Sequence, residues 1–297
     1  MMMRFAAKYI LCLAILFSGS AVYSQPQSAS CPLVIKTAVI DGGVISYLEG
    51  GKGEPVLLLH GLFAQKEQWT EVACGLANQG FDVIVPDLAG YGASAGFPVS
   101  DYPLESQVRI LQQLMNGKQV GKFHIAGSSM GGTIAAMYAK QYPNQIQTLA
   151  FIGAPMGIIS WSPQVKEAIF QGVNPFIPIS DQQFDLEMAL LFYHPPQVDQ
   201  AIKSQLVKEY RDNNRHYQQV WDIVNFYDQA LVGVPVATPR SLILWGKQDG
   251  IFNIAGFLPL KKRYLNSQTH EFPDSAHLLM LEDPQKVIAL YGKFLKH

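Results

Sequence analysis

Charge is scarce in this sequence and evenly split. Only 15% of the 297 residues are charged, 22 basic against 23 acidic, for a net of −1. No basic run interleaved with aromatics occurs, so no phosphate-seeking surface is built and no nucleic-acid partner is expected. No internal repeat is evident, which excludes a tandem array. No apolar stretch reaches the roughly 20 residues that a bilayer span needs. Cysteine is rare, with three residues at Cys12, Cys31 and Cys74. What the chain has in quantity is apolar material, 48% of its residues, enough to bury a large core.

The one apolar run near the start, Tyr9 to Phe17, follows Arg4 and Lys8 with no acid between them, and small residues lead to Val22-Tyr23-Ser24. Residues 1–24 therefore read as a secretory signal peptide and 25–32 as a polar tether, which predicts an exported, periplasmic or secreted protein. The alternative is an uncleaved segment that anchors the chain to a membrane. Export removes Cys12 and leaves Cys31 and Cys74 in an oxidising compartment, where a disulfide can form. A Cys74 buried on a helix with Cys31 loose in the tail is equally open.

Beyond residue 33 the chain alternates. Hairpin strands at 34–40 and 44–49 precede a continuous apolar run, Pro55 to Leu59, of the kind buried on both faces of a sheet. A helix is expected over 67–78, a strand over 81–85, and the strand–helix rhythm continues to Gly153. It resumes at Pro239–Trp245 and 267–272 and closes with a helix over 284–295. Alternating apolar strands and helices predict an α/β fold, a mostly parallel sheet covered on both faces, with ligands at the strands' C-terminal ends. Residues 33–157 and 236–297 form this core. Between them, 158–235 is helical, aromatic-dotted and broken by prolines, and reads as a cap inserted above the sheet edge.

The stretch that organises the chain is Phe123–Gly132, a buried strand that breaks at Gly127 and resumes as a helix. Gly127-Ser128-Ser129-Met130-Gly131 fits G-x-S-x-G, a turn that holds a serine in strained backbone between two glycines and in front of a helix N-terminus. Ser129 is the candidate nucleophile. A serine hydroxyl needs a base, usually a histidine oriented by a carboxylate, and on such a fold the order is Ser, acid, His. Asp249 follows the strand ending at Trp245, and His277 follows the last strand, so both fit. His194 and His216 lie in the cap, His270 within a strand and His297 at the end. His124 reads as a core histidine, Asp274 as a turn cap and Asp87 as a loop-holding residue. The oxyanion donors are the backbone N–H groups of Met130 and Leu62, with His60 bracing the Leu62 loop.

These motifs resemble the α/β-hydrolase fold family, and within it the monoacylglycerol lipase branch with its related bacterial lipases. The resemblance runs through His60-Gly61, Pro86–Gly92, Ser128–Gly132, Leu244–Asp249, Ser275–His277 and Glu282-Asp283-Pro284. It implies a triad at Ser129, Asp249 and His277 and two-step hydrolysis of a lipid carboxylic ester, without metal or organic cofactor. Relatives hold an aromatic residue where Leu62 stands. Many are membrane-attached, which adds peripheral or anchored membrane contact as an expectation. Leu, Ile, Phe and Met in the cap suit an apolar acyl pocket. Carbon–carbon bond hydrolases share the serine triad and are the alternative. Their acidic substrates call for a pocket arginine, and none is identifiable in the sequence.

Overall fold

The computed structural model describes residues 31–233 and 239–297. Eight strands, β1 (Val34–Ile40), β2 (Gly43–Gly51), β3 (Pro55–Leu59), β4 (Asp82–Pro86), β5 (Phe123–Ser129), β6 (Ile146–Pro155), β7 (Arg240–Gly246) and β8 (Ser267–Phe272), form one sheet. Their spatial order is β1-β2-β4-β3-β5-β6-β7-β8. The pairs β1–β2 and β2–β4 are antiparallel, and every other neighbouring pair is parallel.

The period of two along each strand splits the core into two layers. Leu57 and Leu59 of β3, Phe123 and Ile125 of β5, and Ile243 and Trp245 of β7 face one layer. Val56, Leu58, Ala126, Leu242 and Leu244 face the other. The first layer is covered by α2 (Leu104–Gly117) and α3 (Met130–Gln141), the second by α1 (Thr70–Asn78) and by α10 (Pro284–Leu295). Each fully buried Leu, Ile or Phe contributes about 1.5–3 kcal/mol. The burial explains why these strands read as unbroken apolar runs rather than alternating ones.

Between β6 and β7 the described residues form helices only: α4 (Pro163–Phe170), α5 (Asp181–Leu191), α6 (Gln200–Asp212) and α7 (Asn214–Asn225). Their starts are set by side-chain caps. The Ser162 hydroxyl accepts from the Val165 N–H ahead of Pro163 at the first helical position, and Ser180 accepts from the Gln183 N–H. After β7 come the short helices α8 (Phe257–Arg263) and α9 (Leu279–Glu282), and α10 opens on Asp283, which accepts from the Lys286 N–H.

Three sequence expectations meet a definite answer here. The strand before Ser129 does not stop at Gly127. It continues to Ser129 with a shift in its pairing to β6, because β6 runs on beside it to Pro155. The helix expected from Glu67 starts as a 3-10 turn at Lys66–Trp69 and becomes α-helical only at Thr70. Cys31 and Cys74 are joined in a disulfide, fastening the start of the described chain to α1. The expected signal peptide at 1–24, the tether up to residue 30 and the cap boundary at 235/236 lie outside the described residues. Among the described residues no helix is long and apolar enough to cross a membrane.

Candidate active site

The site is built at the C-terminal ends of the parallel strands, and its centre is backbone under strain. Ser129 sits at φ 53°, ψ −124°, a conformation that a non-glycine residue occupies only when its surroundings impose it. The surroundings are visible in the two flanking glycines. A Cβ on Gly127 would stand 2.2 Å from the carbonyl carbon and oxygen of Gly131, and one on Gly131 would stand 2.3 Å from the Leu59 carbonyl oxygen. Both obstacles are backbone, so neither can yield cheaply. α3 starts at Met130, directly after the serine, and its first N–H groups have no acceptor within the helix.

Asp249 and His277 come from the loops after β7 and β8. The Asp249 Oδ2 accepts from His277 Nδ1 at 2.9 Å, while its Oδ1 accepts from the N–H groups of Ile251 and Phe252, both at 2.9 Å. Three donors engage both oxygens of a side chain that solvent does not reach. With its Nδ1 proton so engaged, the imidazole leaves Nε2 as the acceptor. His277 and Ser129 line the same cavity. Among the described residues no hydrogen bond joins the Ser129 hydroxyl to the ring; such contacts characteristically tighten with substrate in place.

The loop carrying Leu62 is held by His60. Its Nε2 accepts from the Leu88 N–H at 3.0 Å, so the proton is on Nδ1, which donates to the Gly61 carbonyl at 2.8 Å. Burial lowers the His60 pKa and keeps the ring neutral. The Gly61 C=O and the Leu62 N–H belong to one trans peptide and point in opposite directions, so holding the first aims the second. Gln68 accepts from the Gly61 N–H at 3.4 Å. A Cβ on Gly61 would lie 3.3 Å from the Ser129 Cβ, a tight contact beside the serine.

Other polar candidates fall where the sequence put them. Asp87 is buried and holds the Lys66 ammonium and N–H, each at 2.7 Å, together with the Ala93 N–H at 2.9 Å. His124 is buried against Thr148 and Glu54. His216 and His194 are outside the lining of the Ser129 cavity, and among the described residues no cluster suited to a metal ion occurs.

The cavity measures ≈ 240 Å³ and is mostly apolar. α5 forms much of one wall through Phe184, Met188 and Leu191, with Trp161, Phe176 and Ile251 beside them. Trp161 stacks on Phe252 with ring centroids 4.8 Å apart and packs on Phe176 and Trp221, tying the inserted helices to the Asp249 loop.

Two residues to which sequence reasoning assigned no role stand out. Glu282 accepts from the Ala276 N–H at 2.6 Å and from the Tyr193 N–H at 2.7 Å, joining the His277 loop to the end of α5. Glu187 lies in the cavity wall, 7% exposed and without a hydrogen-bond partner among the described residues, and burial pushes its carboxyl up to about 8. Its signal was present. Phe184, Glu187 and Leu191 are spaced to share one helix face, so a carboxylate occupied a core position.

The comparisons with known proteins agree with this architecture. Residues 54–188 match the family model of the alpha/beta hydrolase fold. The chain is 28% identical over 277 residues to Lipase 1 of Psychrobacter immobilis, covering 91% of this chain and 86% of that one. It is 27% identical over 261 residues to monoacylglycerol lipase ABHD6 of Homo sapiens, covering 82% and 76%. Among solved structures it resembles a bacterial membrane phospholipase A, a virulence factor, with a TM-score of 0.81 and 25% identity over 90% of this chain and 86% of that one. The chain has the α/β-hydrolase fold, and the two curated relatives named here are lipases.

Proposed function

We propose that Ser129, His277 and Asp249 act as a nucleophile, base and orienting acid that hydrolyse the carboxylic ester of a lipid. The protein is an ester hydrolase of the lipase kind. The observation that carries the assignment of residues is the strained Ser129 in the lining of an apolar cavity shared with an aspartate-bound histidine.

In this reading Ser129 Oγ attacks the ester carbonyl while His277 Nε2 takes its proton. The negative charge on the carbonyl oxygen is received by the N–H groups of Leu62 and Met130, each donor supplying roughly 3 kcal/mol. His277 returns the proton to the departing alcohol, and the acyl group stays on Ser129. Water, deprotonated by His277, then releases the carboxylic acid and restores the serine. Asp249 keeps the imidazole in the required tautomer and stabilises its protonated form. No step asks for a metal or organic cofactor.

The cavity is below the usual range of about 300–1,000 Å³ for ligand sites, which favours a substrate with one acyl chain, such as a monoacylglycerol, over a triacylglycerol. Helices α4–α7, within residues 158–235, act as its cap over a core of 33–157 and 236–297. The carbon–carbon hydrolase alternative is the weaker one, because among the described residues no lysine or arginine lines the cavity to receive an acidic substrate. Export suits both the leader-like residues 1–24 and the Cys31–Cys74 disulfide, which persists in an oxidising compartment. Peripheral membrane contact belongs to the same reading, since such substrates reside in lipid.

The test is a series of p-nitrophenyl esters with acyl chains of increasing length, plus a monoacylglycerol, on the mature protein and on Ser129→Ala. Activity that rises to medium or long chains and vanishes in the variant supports the reading. A folded protein that cleaves no ester of any length refutes it.

A further inference from the structure

Glu187 is an anomaly in the cavity wall. Most of the lining is aliphatic or aromatic, and a carboxyl group there loses its hydration without gaining a protein partner. A leucine or methionine at the same helical position would pack at no such cost. The side chain is not sealed in the core either: it is on the cavity surface, where a bound molecule would meet it.

Its position relative to the reacting groups is fixed through the backbone. The Leu191 carbonyl at the end of α5 accepts from the His277 N–H at 3.1 Å. Glu187 precedes Leu191 by four residues, one helical turn and the same face. The carboxyl therefore projects into the cavity about one turn from the peptide that carries the base. Desolvation keeps it protonated up to about pH 8. A protonated carboxyl both donates and accepts a hydrogen bond, and so does an alcohol. An ester without a free hydroxyl leaves it unsatisfied.

We propose that Glu187 determines substrate specificity by hydrogen-bonding a free hydroxyl group of the bound ester. The inference rests on the reading of the site as an ester hydrolase and names the chemistry of its substrate: an ester with a hydroxyl, carried either on the alcohol part, as in a monoacylglycerol, or on the acyl chain.

The experiment compares the mature wild type with Glu187→Leu and Glu187→Gln on monodecanoylglycerol, methyl decanoate and methyl hydroxydecanoate, with circular dichroism to establish folding. The wild type is expected to prefer one hydroxylated ester over methyl decanoate, and which one it prefers identifies the source of the hydroxyl. Glu187→Leu is expected to lose about tenfold in kcat/KM on that ester, the worth of one hydrogen bond, and nothing on methyl decanoate. Glu187→Gln, which still donates and accepts, should keep most of the preference. Equal losses on all esters, or an unchanged preference in Glu187→Leu, would overturn the proposal.

A binding measurement separates this from failure of the hydrolase reading. Decyl glyceryl ether and decyl methyl ether cannot be hydrolysed, and Trp161 in the cavity wall reports their binding by fluorescence. Tighter binding of the glyceryl ether to the wild type, lost in Glu187→Leu, supports hydroxyl recognition on the alcohol side even if no ester is cleaved. For a preference carried by the acyl chain, decyl methyl ether with and without a chain hydroxyl gives the same reading. If the wild type distinguishes neither pair, the proposal fails.

Discussion

Asp249, bonded to His277, and Glu187, in the cavity wall, are both buried carboxyl groups, and their surroundings are opposite. Asp249 receives three hydrogen bonds, two from backbone N–H groups of its own loop and one from His277. Glu187 has no partner among the described residues, and its proton is held to about pH 8. The first group is supplied by the loop that follows a sheet strand, the second by a helix inserted between two strands. The contrast extends to their neighbourhoods. On the sheet side, positions are fixed by backbone contacts that admit only glycine. On the helical side they are fixed by aromatic stacking and apolar packing, which leave the lining free to vary. In the proposed function, reaction chemistry belongs to the first region and choice of substrate to the second.

Replacing residues on either side sharpens or breaks that division. The largest effect is expected for Ser129→Ala, a loss in kcat of roughly 10⁴-fold or more with an unchanged melting temperature, read by ester turnover and calorimetry. Asp249→Asn keeps the shape of the side chain but replaces one accepting oxygen with a donor. The tautomer of His277 is then no longer imposed, and kcat should fall about 10⁴-fold while KM changes little. His60→Ala releases the Gly61 carbonyl and the aim of the Leu62 N–H. A loss of about 10²–10³-fold in kcat is expected, with little change in KM, as for removal of one oxyanion donor. If KM instead rises with kcat untouched, His60 belongs with substrate binding and the division fails there.

The smallest effect is on stability. The Glu187 carboxyl has an ordinary value of 4.5 and is raised to about 8 in the fold. Between those values the unfolded chain has lost the proton that the folded chain keeps, so the folded state loses stability as pH rises through 8. Glu187→Gln removes the titration. Its melting temperature relative to wild type should therefore be higher at pH 9 than at pH 5, and a constant difference would mean that the carboxyl is not desolvated.

How much of this was legible in the sequence follows the same line. Gly127, Gly131 and the order Ser129, Asp249, His277 were readable because each reflects a local backbone need: a turn too tight for a Cβ, a helix N-terminus behind the serine, a loop after each strand. The helix expected over 284–295 has those bounds in the structure, where it opens on Pro284 behind the capping Asp283. Glu187 was not singled out, and Glu282 stood only within the Glu282-Asp283-Pro284 motif, without a role. Their roles depend on how α5 docks against the His277 loop, a contact between segments 89 residues apart in the Tyr193–Glu282 hydrogen bond. The disulfide stayed open for a related reason, since Cys31 and Cys74 are 43 residues apart and only the sheet brings them together.

The most direct measurement traps the covalent intermediate. The purified protein and Ser129→Ala are mixed with a slowly hydrolysed ester, quenched in acid, digested and mapped by mass spectrometry. One acyl group on Ser129 in the wild type, and none in the variant, is the expected result. An acyl group on another residue, or ester turnover that persists in Ser129→Ala, would contradict the assignment of Ser129 as the nucleophile.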